Sequence, residues 1–187
     1  MIQAIICDFD GTLADTFDAN YHAYQEAFLQ QGLTLTEDTY RAAFGRRYDD
    51  FMRMVGIADK QVALSIREQK KENYPHFFHL LQPNKRLLEL VRAFHQSGGK
   101  TGIASTARKE NLENVLCFLG IADLFDVIQS GNDVLHGKPD PEIYIRVMET
   151  LQVTPANTLI FEDTEIGVVA AQASGAQCIH VTKEWFN

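Results

Sequence analysis

Apolar residues fall along this chain in two patterns. Short apolar runs at residues 2–7, 101–104, 125–128, 158–161 and 177–181 read as buried strands. Between the later runs the apolar positions recur at helical spacing, over 86–95, 110–119, 142–151 and 166–173. Gly98-Gly99, Gly120 and Gly175 stand where three of these helices should stop. Asp140 is the expected N-cap of helix 142–151, with Pro141 as its first residue. The stretch after the first strand reads differently. Phe17, Tyr21, Tyr24 and Phe28 recur at spacings of 4, 3 and 4, an amphipathic stripe that Gly32 can end. Thr36 begins another helix, with Glu37 and Asp38 favourable in its first turn. Residues 48–55 and 60–78 continue the helical pattern, and Pro83 closes the segment.

Strands alternating with helices of about ten residues predict an α/β fold, a doubly wound parallel sheet with helices on both faces. The first crossover carries an extra helical segment. The expected organisation is an α/β core at 1–14 and 83–187 with an inserted α-helical domain at 15–82. Composition agrees: 11 of the 18 Phe and Tyr residues lie between Ala14 and Gln82, but only 3 of the 12 glycines. At about 150 residues per domain, 187 residues suit one domain with such an insertion. No internal repeat or low-complexity linker breaks the chain.

Hydrophobic residues at 45% and charged residues at 22% exclude disorder as a description of the whole chain. Seventeen Lys and Arg against 25 Asp and Glu give a formal charge of −8, which argues against nucleic-acid binding through a basic face. Cys7, Cys117 and Cys178 are too few and too scattered for a disulfide framework or zinc knuckle. Each sits in an apolar run and is expected to be a buried small hydrophobe. The first residues lack a basic region and their apolar run stops at Asp8, so neither a secretory signal nor a membrane span is read. The expectation is a soluble protein of the reducing cytoplasm, with no membrane partner.

In open parallel sheets, ligands bind outside the carboxyl ends of the strands. Those ends carry Asp8-Phe9-Asp10-Gly11-Thr12-Leu13, then Ser105-Thr106, then Gly137-Lys138-Pro139-Asp140-Pro141, then Glu162-Asp163-Thr164. Asp8 and Asp163 offer hard oxygens to a cation such as Mg²⁺. Lys138 can offset the charge of a phosphate brought among these carboxylates. An aspartate can accept a phosphoryl group, and Asp10, just beyond the strand, can protonate a leaving alkoxide and later deprotonate water. Each piece has an ordinary structural use as well: Asp-x-Asp-Gly as a turn, Ser105-Thr106 as a helix cap, Lys138 as a solvated loop lysine. What points to phosphoryl chemistry is the whole set, in order, at four strand ends.

These motifs resemble the haloacid dehalogenase-like (HAD) hydrolase superfamily, in its β-phosphoglucomutase-like and phosphoglycolate-phosphatase-like branch. The matching residues are Asp8–Leu13, Ile103-Ala104-Ser105, Gly137–Pro141 and Phe161–Thr164, with Gly167, Ala170-Ala171 and Gly175-Ala176 following. The resemblance covers the whole chain, strongly at 1–14 and 84–182 and weakly in the insertion. It implies Asp8 as nucleophile and metal ligand, and Asp10 as general acid/base with its carbonyl on the metal. Ser105, with Thr106 beside it, and Lys138 would hold the phosphoryl group. Asp163 would complete a Mg²⁺ shell, with Glu162 as a further ligand or just behind it. The insertion would be a helical cap. There Gly45 resembles the glycine of a substrate-specificity loop, and Arg46 and Arg47 are candidates for substrate contact, or else surface arginines pairing with Asp49 and Asp50. The aromatic stripe is read as core of the insertion, and His22 as structural.

The resulting expectation is a Mg²⁺-dependent phosphatase of a small organic phosphomonoester, possibly a sugar phosphate, acting through an aspartyl-phosphate. Its partner would be a small phosphorylated metabolite, and its state a monomer or weak homodimer. Two alternatives stay open. A β-phosphoglucomutase would need a second phosphate site, for which the resemblance implies a Ser and an Asn where this chain has Ala107 and Lys109. A receiver-like phospho-acceptor protein also clusters aspartates, a hydroxyl and a lysine on such a sheet, but the insertion and the Asp-x-Asp pair argue against it.

Overall fold

The structure, a computed structural model, describes residues 1–186; residue 187, the last of the expected core range, lies outside the described residues. In chain order the elements are β1 (Ala4–Cys7), β2 (Ala14–Asp15), α1 (Phe17–Gln30), α2 (Glu37–Ala43), α3 (Tyr48–Met54) and α4 (Lys60–Asn73). A 3₁₀ segment, Tyr74–Leu80, leads to β3 (Gln82–Pro83), α5 (Lys85–Gln96), β4 (Lys100–Ala104), α6 (Lys109–Leu119) and β5 (Val127–Gln129). Then come α7 (Glu142–Leu151), β6 (Thr158–Glu162), α8 (Glu165–Ala173) and β7 (Gln177–His180). The chain divides into two compact units, one of Met1–Asp15 with everything from Gln82 on, the other Thr16–Leu81.

The first unit holds a five-stranded sheet in the order β5-β4-β1-β6-β7, parallel at every pairing. β1 lies at its centre, and all four of its residues are buried. That is what a central parallel strand requires, with helices over both faces. Ala4 and Ile6 pack in one cluster with Ile143, Tyr144, Val147 and Leu151 of α7 and Ala170 and Ala171 of α8; the side chains of Ile5 and Cys7, one residue out of step, point to the other face. A two-stranded ribbon, β2 with β3, closes this unit beside the first turn.

The second unit is helical, and its aromatic stripe is its core. The rings of Phe17, Tyr21, Tyr24, Phe44 and Phe51 all lie 5.3–5.9 Å from that of Tyr40. His22 stacks on Phe77. Lys70 is buried, with its ammonium 3.5 Å from the Tyr74 ring centroid.

Several boundaries differ from the sequence expectation, each for a local reason. The helix expected over 60–78 is α-helical only to Asn73. Pro75 lacks an N–H and its ring crowds the carbonyl four residues back, so the chain tightens into the 3₁₀ segment. The strand expected at 125–128 begins at Val127, because the Phe125 N–H is still bonded to Ala122 O across a turn. Helix α7 spans Glu142–Leu151 as expected, but Pro141 rather than Asp140 stands at its cap position; Asp140 still serves it, accepting from the Glu142 N–H at 2.9 Å. Cys117 corrects the expectation of three buried cysteines. Cys7 is buried and Cys178 half-buried, but Cys117 is exposed, because the buried face of α6 is set by Leu112, Val115 and Leu116. Among the described residues no helix is long and apolar enough to cross a membrane.

Candidate active site

Asp8 directly follows β1, and its N–H extends the parallel ladder by donating to Phe161 O at 2.9 Å. The chain then turns sharply, with the N–H groups of Thr12, Leu13 and Ala14 all directed at Phe9 O. Gly11 makes this turn at φ +92, a conformation that side chains rarely adopt. It also leaves room for Asp163, since a Cβ there would lie 2.2 Å from Asp163 Oδ2. Thr12 Oγ1 donates to Asp163 Oδ1 at 2.9 Å, tying the end of β6 to the β1 turn. Asn84, fully buried, donates to Thr12 O at 3.1 Å while its Oδ1 caps α5 through the Leu87 N–H.

Lys138 reaches into this cluster from the loop before α7. Its ammonium donates to Asp8 Oδ1 and Glu162 Oε2, each at 2.6 Å, and to Ala104 O at 3.1 Å. Its loop is held from α7, where Glu142 accepts from the N–H groups of Leu135 and His136. Ser105, the first residue after β4, is buried, with Oγ 3.5 Å from Asp10 Oδ2 and accepting from the Ala107 N–H. Neither Ser105 nor Thr106 caps α6, whose N-cap position is Arg108; Thr106 is half-buried. Arg46 and Arg47 belong to the second unit, between α2 and α3, the first exposed and the second half-buried. Asp50, considered as their partner, pairs with Arg53.

Glu162 has both oxygens committed to protein donors. Oε1 accepts from the N–H groups of Asp163 and Thr164 and from Thr164 Oγ1, and Oε2 from Lys138 and from Tyr144 Oη at 2.5 Å. Gly167 makes this possible, because a Cβ there would sit 2.0 Å from Glu162 Cδ.

The electrostatics follow from burying three carboxylates around one ammonium. Burial, then the charge of Glu162, push the Asp8 carboxyl well above the usual carboxylate range, and Lys138 only partly offsets this. Burial and Glu162 likewise raise Asp163 to about 7. Burial works against the charge of Glu162 too, but Lys138 and the hydrogen bonds it receives hold it below its ordinary value. Burial also opposes charge on Lys138, and Asp8 with Glu162 more than reverse that. Carboxylate oxygens of Asp8, Glu162 and Asp163 lie within 4.8 Å of one another. An all-oxygen set with surplus negative charge fits a hard divalent cation.

Sequence reasoning missed Thr12, Asn84 and Tyr144. Thr12 stands inside the first motif, and Asn84 directly before a helical pattern is a capping signal. Tyr144 gave no signal beyond its place in an apolar helix.

This arrangement at the carboxyl ends of β1, β4 and β6 is accompanied by clear likenesses. The family model for haloacid dehalogenase-like hydrolases matches residues 5–181, so the chain belongs to that family. The phosphorylated carbohydrates phosphatase of Thermotoga maritima is 34% identical over 186 residues, 96% of this chain and 84% of that protein. The structure of CbbY from Rhodobacter sphaeroides in complex with phosphate superposes with a TM-score of 0.86 at 27% identity, covering 100% of this chain and 89% of that one. A mutant of the same CbbY in complex with xylulose-(1,5)bisphosphate matches at a TM-score of 0.85 and 26% identity, over 100% and 89% of the two chains. The protein is an enzyme, a HAD-like phosphatase.

Proposed function

We propose that this enzyme is a Mg²⁺-dependent phosphatase of small phosphomonoesters, sugar phosphates foremost, working through a phosphoaspartate on Asp8. The observation that carries this reading is the Asp8 carboxylate at the end of the central strand, held by Lys138 and within reach of Asp163. The likeness to a phosphatase of phosphorylated carbohydrates and to a protein that binds a sugar bisphosphate supports the substrate class.

In this reading an Asp8 oxygen attacks phosphorus, and the bond to the leaving alkoxide breaks as Asp10 delivers a proton to it. Asp10, now ionised, takes a proton from water, which attacks the phosphoaspartate and releases phosphate and free Asp8. Ser105 and Thr106 offer hydroxyl and backbone donors to the phosphoryl oxygens, and Lys138 offers a cation. The Asp8 and Asp163 carboxylates with the Asp10 carbonyl would hold Mg²⁺, which supplies positive charge against the phosphoryl oxygens. Glu162 serves Lys138 rather than the metal, since its oxygens already accept five donors. Arg46 and Arg47, in the helical unit, are the candidate contacts to an anionic or hydroxylated substrate.

A mutase needs a firm second phosphate site. Ala107 has no hydrogen-bonding side chain, and Lys109 cannot reproduce an amide's geometry. Water is then the better acceptor from phospho-Asp8. The test is a screen of sugar phosphates, phosphoglycolate and nucleotides with Mg²⁺, including β-glucose 1-phosphate with catalytic glucose 1,6-bisphosphate. Free phosphate without isomerisation is the expected product; glucose 6-phosphate forming faster than phosphate would establish the mutase instead.

A further inference from the structure

Tyr144 has no part in the mechanism above, yet its hydroxyl is aimed at the group that holds Lys138. The residue is fully buried, its ring packed among Ala104, Val147 and Ile160, so the hydroxyl is fixed in direction. It donates to Glu162 Oε2 at 2.5 Å, the same oxygen that accepts from Lys138 at 2.6 Å. The Lys138 ammonium also lies 5.0 Å from the Tyr144 ring centroid.

An ammonium has three N–H groups, and here three acceptors take them: Asp8 Oδ1, Glu162 Oε2 and Ala104 O. A phosphoryl group can engage Lys138 only if one of these loosens. A carboxylate oxygen shared by two donors holds each less strongly than it would hold one alone. We propose that Tyr144 is a positioning residue that acts through Glu162: by sharing Oε2 it limits the pull of Glu162 on Lys138 and keeps the ammonium turned toward Asp8 and the phosphoryl group. This rests on the reading of Asp8 as nucleophile and Lys138 as the phosphoryl-binding cation.

Tyr144→Phe keeps the ring and removes only the hydroxyl, and it is tested against wild type and Asp8→Asn with p-nitrophenyl phosphate and Mg²⁺. The expected result is a kcat roughly 10-fold lower with KM within about 2-fold, the scale of one lost hydrogen bond to a charged group. A second readout needs no turnover. The ¹H–¹⁵N resonance of the Lys138 ammonium, identified by its loss in Lys138→Met, should shift in Tyr144→Phe. Wild-type kcat and KM with an unmoved ammonium resonance would overturn the inference, whatever happens to the unfolding midpoint. Wild-type turnover by Asp8→Asn would count against the nucleophile reading alone, and the ammonium resonance would then decide the role of Tyr144.

Discussion

Lys138 donates to Asp8 across 2.6 Å, with the two side chains only 2% and 7% exposed. An ion pair this deeply buried is costly to desolvate, and its retention is poor evidence for stability alone. It makes sense where the cation must meet a second anion beside Asp8.

Removing the cation leaves the carboxylates of Asp8 and Glu162 buried against each other. Lys138→Met should therefore destabilise the fold by about 3–5 kcal/mol, the range for breaking a buried pair from one side, as well as abolish turnover. Urea unfolding checks this, and an unchanged midpoint would show that the carboxylates are not charged together in the folded protein.

The metal expectation follows from the oxygens of Asp8 and Asp163. Excess chelator should silence the enzyme and Mg²⁺ should restore it. Ca²⁺ should restore it poorly, because it takes longer bonds and more ligands. Full activity in chelator would contradict the proposed use of Asp163.

The loop that carries Lys138 has its own pH signature. Glu142 is held down to about 2 by the backbone N–H of His136, then that of Leu135, with His136 and Arg146 side chains adding to them. A carboxyl lower in the folded than in the unfolded chain stabilises the fold above the ordinary carboxylate range, about 4.3, and loses that contribution as pH falls toward the folded value. The gap in urea midpoint between wild type and Glu142→Gln should be constant above about pH 6 and narrow as pH falls toward about 3. A gap independent of pH would exclude the charge as its source.

Much of the fold was legible because central strands such as 4–7 are apolar without a break and helices α1, α5, α6 and α8 end at or just before glycines with positive φ. The β2–β3 ribbon was not, because two residues on each side leave no periodicity to read. In the site, residue types and order located Asp8, Ser105 and Asp163 at strand ends, but not the reach of Lys138 from the loop before α7, nor who holds whom. Glu162 reads in sequence as a metal ligand or a group just behind one, with no sign of the five donors it accepts. Gly167 reads as part of a motif, with no sign that its missing side chain makes room for Glu162. Such pairings depend on side chains converging from β6, α7 and the Lys138 loop, 18 and 24 residues apart in sequence, and on Asp8, 130 residues before Lys138.

The central claim is that Asp8 is the group that takes the phosphoryl from substrate. The most direct measurement is turnover of the best sugar phosphate by Asp8→Asn beside wild type, with circular dichroism to confirm the fold. The account predicts a folded protein whose rate is lower by roughly 10³-fold or more, as when a nucleophile is removed. A folded Asp8→Asn enzyme with near-normal turnover would contradict it.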